Sequence, residues 1–393
     1  MADDTVPDAA ATHVLGIDSG GSGVRVGVAR ADAYGGSAAE DPLAGSPPLT
    51  SSSPLRSSSP PLTWSSSTPA VVGDRGIDAE DLLARVLPAA RELLREAGAR
   101  RLGAICVGAT GMATLGDDLR ARLPDALADA LGVRRLALAA DAVTAYAGAL
   151  GQRPGAVVAA GTGLIALGAV PEGAAEGSGG AGGVPVTGGA SSTDAASDTD
   201  ATAPGGDTRW TATGWRRADG WGHLLGDCGG GAWIGRAGLE AAMRAYDGRD
   251  GGSKPLLARL EAVFGPATGL PGKLYPRPDR PAVLASFAPE VGRCAAEDPI
   301  AEAILRTAAR HVAEAAEAVC PRLESSEVAL TGGLFRMGAP LLAPVREELA
   351  ARLPGVRVTE AAGDPLDGAL CVAAALAADE LRLPRDPALL SVV

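Results

Sequence analysis

The chain has 393 residues, 46% of them hydrophobic and only 3% aromatic, so a sizeable core is within reach, built mostly from Ala, Val and Leu. A formal net charge of −12, with Lys254 and Lys273 the only lysines, makes phosphate backbones and anionic headgroups poor partners. Five scattered cysteines without a CxxC pair suggest free thiols in a reducing compartment, and no apolar run of about 18 residues is present to span a bilayer.

The N-terminal MADDTVPDAAATHVLG opens on acidic residues with no basic stretch before an apolar run, so no secretory signal is expected and the cytoplasm is the default. HVLGIDSG and GVRVGVAR then read as two strands joined by a Gly-rich turn. Residues 35–69, with SPPLTSSSPLRSSSPP at their centre, are too poor in apolar side chains to offset the entropy of ordering them and read as an expanded loop. Residues 77–97 carry Leu82, Leu83, Val86, Leu87, Leu93 and Leu94 at helical spacing. AICVGAT is a buried strand, 117–131 a short amphipathic helix, and RLALAAD a strand leading into a helix from Ala142.

VVAAGTGLIALG is a second strand–Gly turn–strand unit. Its LIALGAV pairs in expectation with RWTATGWRRAD as a hairpin, whose tip is overgrown by the Gly, Ala, Ser, Thr and Asp of residues 172–208. A helix starts near Gly231, and an Ala-rich one covers about 299–319. VALTGG is a strand, 340–352 a helix, VRVTE a strand, and about 366–380 the last helix. Hairpins beside strand–helix units mean an α/β protein.

Three Gly clusters carry chemistry. In GIDSGGSGVRVGVA, glycines at 20, 21 and 23 free backbone N–H groups to face phosphate oxygens, and Asp18 can hold a hydrated Mg2+ against them. The bland alternative is an ordinary hairpin turn. It is neither a Walker A loop, since no GK[ST] follows, nor a dinucleotide fingerprint, since a strand comes next. Gly161-Thr162-Gly163 repeats the plan, and Gly332-Gly333 ends a strand before a helix, where backbone can lie flat against an adenine or ribose. Asp141 is placed either to accept a proton from an attacking hydroxyl or to cap the helix that follows it.

In this order the clusters resemble the phosphate 1, phosphate 2 and adenosine motifs of the actin, hexokinase and Hsp70 superfamily. Within it, GWGHLLGDCGGGAWIGRAGLE at 220–240 resembles the GWG-x-x-x-GDEGS-x-x-WIG signature of the N-acetylglucosamine kinase and BadF/BadG/BcrA/BcrD ATPase group. The resemblance implies a duplicated ribonuclease H-like fold with a central cleft. One lobe would be 12–150, with an insertion at 35–69, completed by a helix at about 363–385. The other would be 151–362, with its insertion at 172–208.

It also implies roles. Asp18 would organise Mg2+, through water, with Ser19, Gly20, Gly21 and Ser22 around the terminal phosphates of ATP. Gly161, Thr162 and Gly163 would hold the other side of the phosphate chain, and Gly332 and Gly333 the adenosine. Asp141 matches the catalytic aspartate, and Trp221, Gly222, His223 and Asp227 the loop bordering the sugar. A solvated turn for Asp227 and a structural role for His223 stay open.

The implied reaction is phosphorylation of an amino sugar such as N-acetylglucosamine or glucosamine, at O6, with a small-molecule sugar as partner and a homodimer as an assembly open to it. Three features depart from the pattern: Cys228 replaces the signature Glu, the chain has no Asn to grip a sugar, and the loops are expanded. Trp64, Ser66, Ser67 or Thr68 could stand in for the missing Asn. The rival readings are an ATPase activator of a 2-hydroxyacyl-CoA dehydratase, which needs bridging cysteines, a ROK-type kinase, which needs a zinc motif absent here, and a non-catalytic sugar or nucleotide sensor.

Overall fold

The computed structural model describes residues 12–21, 23–34, 60–68, 70–73, 76–174 and 210–393. Strands β1 (His13–Gly20) and β2 (Gly23–Arg30) form an antiparallel hairpin, and β3 (Leu62–Ser66) pairs antiparallel with β2. The last part of the expected 35–69 loop is therefore a strand. Its short Leu-Thr-Trp pattern, with Trp64 packed on the core, is enough once β2 offers an open edge. A small ribbon, β4 (Val72–Gly73) and β5 (Gly76–Ile77), leads into α1 (Ala79–Glu96), which Asp78 caps by accepting the amides of Glu80 and Asp81. Leu82, Val86 and Leu93 give α1 its buried face, each side chain worth about 1.5–3 kcal/mol of burial.

Next come β6 (Leu102–Ala109), α2 (Met112–Leu115), α3 (Asp117–Leu131), β7 (Leu136–Ala140) and α4 (Asp141–Leu150). β6 is parallel to β1, and β7 to β6. The second half opens with β8 (Gly155–Ala160), β9 (Leu164–Val170) and β10 (Gly214–Asp219), in which β9 is antiparallel to both neighbours. The expected hairpin is present, Val170 facing Gly214, and most of the 172–208 tip lies outside the described residues. Helices α5 (Gly231–Tyr246), α6 (Lys254–Phe264), α7 (Leu270–Leu274), α8 (Arg280–Ala285), α9 (Ala288–Cys294) and α10 (Pro299–Val319) follow. The chain ends with β11 (Glu327–Thr331), α11 (Ala339–Arg352), β12 (Arg357–Glu360), α12 (Pro365–Ala377) and β13 (Leu390–Val392).

One sheet runs β13-β7-β6-β1-β2-β3 and the other β10-β9-β8-β11-β12. Apart from β13 the two have the same plan: three antiparallel strands, then two parallel ones. This is the duplicated, actin-like α/β fold. One apolar core packs the first sheet and takes in Val157, Leu167, Ala169 and Ala329 from one face of the second. A second core covers the other face of that sheet, and only Tyr146 and Phe287 are aromatic among the largest fully buried side chains described. Helix α12 returns to the first sheet, where Leu370 lies against Gly16 and Gly27.

Candidate active site

Because β1, β6 and β7 are parallel and in register, Asp18–Gly20, Ala109–Thr110 and Ala140–Asp141 reach the same edge of the first sheet. Ligands of open α/β sheets bind at this carboxyl edge. The β1–β2 turn leaves it at Gly21, on whose open side an added Cβ would meet nothing within 4 Å. Gly23 has φ +134°, and a Cβ there would collide with the Ser66 carbonyl, so only glycine fits. Ser22 lies outside the described residues. Ser19 is fully buried, its Oγ without a hydrogen-bond partner among the described residues, so its side chain does not reach the open turn.

Asp18 faces Arg25 across the hairpin, the two being direct cross-strand partners. Arg25 gives Nε (3.1 Å) and Nη2 (2.7 Å) to Oδ2 of Asp18, and Nη1 (2.6 Å) to Asp364. Burial pushes the Asp18 carboxyl above its usual range against the pull of Arg25, with the charges of Asp364 and Asp141 adding to the rise.

Asp141 is the first residue of α4, not the cap that precedes it; Ala140 holds the cap position. Its Oδ2 accepts Thr110 Oγ1 at 2.9 Å and its Oδ1 the Ala142 amide at 2.9 Å, which fixes a carboxylate at a helix N-terminus where negative charge is favoured.

The second sheet carries its own Gly turns at the matching edge. β8 and β11 are parallel, Ala159 beside Thr331, so Gly161 and Gly332 leave the same edge. The Gly161-Thr162-Gly163 turn closes on itself, Gly161 N donating to the Gly163 carbonyl, while α5 docks on it through Gly231 N to Gly161 O (2.9 Å) and Ala232 N to Thr162 O (2.8 Å). Gly332, at φ +105°, presses on Ala160, whereas Gly161 and Gly333 face open space. A cavity of about 370 Å³ lies here, lined by Gly161, Thr162, Gly231, Gly333, Arg336 and Met337, within the ~300–1,000 Å³ usual for small-molecule sites. Arg336 is exposed and makes no ion pair among the described residues. A larger hollow, about 670 Å³, between α1 and α3 holds none of these residues and is an open groove of surface side chains.

The loop after β10 is braced by acids. Asp219, at φ +61°, accepts the amides of Asp227 (2.5 Å) and Cys228 (2.9 Å), and Asp227, at φ +54°, accepts the Gly222 amide (3.0 Å) and presses against Gly163. Burial pushes the Asp227 carboxyl up, opposed by the Gly222 amide. It also pushes up the Cys228 thiol, with Asp219 and Asp227 adding to it. Trp221 is 59% exposed and stacks on Arg217 (4.1 Å); His223 is half-buried nearby in sequence. Ser66 and Ser67 flank Gly23 beside the first turn, and Ser66 Oγ accepts the Thr68 amide.

Four polar residues were not singled out from sequence: Arg25, Thr110, Asp219 and Asp364. Arg25 could have been found by counting across the tight hairpin turn, and Asp219 by its position just before GWG. Nothing local marks the other two. Among the described residues no group of three acidic, His or Cys side chains could cage a metal. The hard carboxylate of Asp18 suits a Mg2+ that arrives with a nucleotide and keeps phosphate and water ligands, not a resident cage.

Residues 214–377 match the profile of the BadF/BadG/BcrA/BcrD ATPase family. Among solved structures, a candidate N-acetylglucosamine kinase of Chromobacterium violaceum superimposes over 92% of this chain and 98% of its own, with 25% identity and a TM-score of 0.60. One of Porphyromonas gingivalis shares the fold over 91% and 97%, at 15% identity and TM-score 0.56. A ROK family transcriptional regulator, a homolog of the E. coli MLC protein, shares it over 93% and 79%, at 14% and 0.50. No curated protein sequence matches the chain. The chain thus has the actin-like fold of these neighbours, and its residues 214–377 carry the match to the BadF/BadG/BcrA/BcrD ATPase family that the GWG-x-x-x-GD signature led one to expect.

Proposed function

We propose that the protein is an ATP-dependent sugar kinase that transfers the γ-phosphate to a hydroxyl, O6, of an amino sugar such as N-acetylglucosamine or glucosamine. The observation that carries this reading is the Asp141 carboxylate, fixed by Thr110 and the Ala142 amide at the carboxyl edge that also holds Asp18 and the first Gly turn. We read residues 12–150 with the returning α12 as one lobe and 151–362 as the other, and place the protein in the cytoplasm. All five cysteines are free, which suits a reducing compartment, and no helix among the described residues is long and apolar enough to cross a membrane.

In this mechanism the adenosine occupies the cavity beside Gly333 and Met337, and the phosphates run between the turns at 20–23 and 161–163. Asp18 would hold a Mg2+ carried on those phosphates, through water, and the ion would supply charge neutralisation for the transferred group. The loop at Trp221–Asp227 borders the sugar. Asp141 takes the proton of the sugar hydroxyl as that oxygen bonds to the γ-phosphorus, while the bond from phosphorus to the ADP oxygen breaks. The sugar phosphate and ADP then leave. Fixing the acceptor and carboxylate in one geometry supplies most of the rate, since phosphoryl transfer needs little covalent help from the protein.

The dehydratase-activator alternative needs two reachable thiols per subunit. Cys106, Cys320 and Cys371 are buried, and burial pushes the thiols of Cys320 and Cys371 up to about 11. The remaining pair, Cys228 and Cys294, lie in the loop before α5 and at the end of α9.

The test is ADP release from MgATP over N-acetylglucosamine, glucosamine, glucose, N-acetylmannosamine and N-acetylmuramic acid. One sugar should stimulate strongly, and Asp141→Asn should abolish the stimulation while nucleotide still binds. Wild-type turnover in Asp141→Asn would remove that residue from its role. No stimulation by any sugar, with ATP bound, would favour a sensor.

A further inference from the structure

The carboxylate expected to face the metal-bearing phosphates does not stand alone. Asp18 uses only Oδ2 toward Arg25 and accepts no hydrogen bond at Oδ1 among the described residues. Arg25 in turn is held from the far side by Asp364, through Nη1 at 2.6 Å. A guanidinium suits this because its planar fork presents donors to two carboxylates in fixed directions, whereas the three donors of an ammonium rotate and fix neither.

Asp364 is itself immobilised. It caps α12, its Oδ1 accepting the amides of Leu366 (2.8 Å) and Asp367 (3.1 Å), and Asp367 returns a bond to the Asp364 amide at 3.0 Å. Tyr34 Oη donates to the other oxygen of Asp367. The Asp364 carbonyl packs on Gly148, and Gly368 packs on the Thr144 carbonyl, so the start of α12 is seated on α4. Asp141 is the first residue of α4, and Thr144 Oγ1 donates to its carbonyl at 3.0 Å. Asp18 and Asp141 are therefore both referenced to one helix pair, Asp141 directly and Asp18 through Arg25 and Asp364.

We propose that Arg25 and Asp364 are positioning residues for the metal-bearing phosphate site: Arg25 ties down Oδ2 of Asp18 so that Oδ1 is presented to the ion, and Asp364 anchors Arg25. The inference rests on the nucleotide reading above. It differs from a charge effect in sign. If Arg25 mattered only as a cation beside two carboxylates, removing it would tighten Mg2+; as a clamp, removing it loosens the ligand.

The experiment follows the fluorescence of bound methylanthraniloyl-ATP during Mg2+ titration, and again in EDTA, for the intact protein, Arg25→Met and Asp364→Asn. Asn retains a cap acceptor for α12 but removes the charged partner of Arg25. Loss of a charge-assisted bond predicts a Mg2+ midpoint about tenfold higher in each variant, with nucleotide binding in EDTA changed less than about twofold. An unchanged midpoint in Asp364→Asn, a lower midpoint in Arg25→Met, or an equal loss of binding with and without Mg2+ overturns the proposal. Absence of Mg2+-dependent binding in the intact protein overturns the nucleotide reading itself and this proposal with it.

Discussion

Gly368→Ala should destabilise the protein, although Ala is the better helix former by about 0.8–1.0 kcal/mol. Gly368 lies inside α12, where it crosses α4. A Cβ there would stand 2.5 Å from the Gly148 amide nitrogen and closer still to the Thr144 carbonyl oxygen. Both obstacles are helix backbone, so neither can rotate away as a side-chain tip would. The helices must part by on the order of 1 Å, and overpacking of this kind costs about 1–3 kcal/mol, occasionally more. The upper end applies because Leu370, two residues on, is wedged against Gly16 and Gly27 and moves with the helix. Net of the propensity gain, a loss of about 2 kcal/mol is expected, a Tm lower by roughly 4–8 °C for a domain of ordinary size. Thermal unfolding by circular dichroism reads it, with Gly272→Ala as control, since a Cβ at Gly272 meets nothing within 4 Å. A Tm for Gly368→Ala equal to or above that of the unaltered protein would refute the packing argument.

Ala at Gly161 or Gly333 meets no atom within 4 Å, so either variant should keep its Tm within about 2 °C while raising the KM for ATP several-fold; an unchanged KM would move the nucleotide elsewhere. Asp18 carries a pKa raised above the ordinary 3.8 by burial, so its ionised form costs stability: its contribution is best below that value and is lost as pH rises through the folded value. Asp18→Asn should therefore match or exceed the parent Tm near pH 7, with the advantage shrinking toward pH 4, and should lose MgATP binding. A Tm deficit that is larger near pH 7 than near pH 4 would reverse the sign.

Long periodic segments could be read from the sequence because they need little context. Asp298 followed by Pro299 starts α10 and the Ala/Leu/Val face carries it to Val319. The first strand–Gly turn–strand unit and the Gly pair after β11 were equally plain, since φ > 0 and close backbone approach leave glycine little competition at Gly23 and Gly332. Segments whose stability is borrowed were not legible. β3 is five residues long inside a Ser/Pro-rich stretch and exists because β2 offers an edge; β13 depends in the same way on β7. α7 to α9, between 270 and 294, are helices of only 5 to 7 residues, too short to show a period. Asp364 is 339 residues from Arg25, so no window that holds one holds the other.

Duplication kept the strand order but not the chemistry. In the first half the carboxyl edge carries Asp18 near the end of β1 and Asp141 directly after β7. In the second, the strand that corresponds to β1 is β8, and it ends Val158-Ala159-Ala160 before its turn; the residue after β12, which corresponds to β7, is Ala361. On the proposed reading, the acids that would handle a proton and a metal-bearing phosphate both belong to the first half. The cavity of the second half offers glycine backbone, Thr162, Met337 and Arg336, which makes no ion pair among the described residues, while the acids nearby in sequence, Asp219 and Asp227, accept amides of the loop after β10. For the proposed reaction Asp18 and Asp141 must keep a fixed separation. Seating Asp364 and Asp141 on the same pair of packed helices refers Asp141, and Asp18 through Arg25 and Asp364, to one contact, that of α12 with α4.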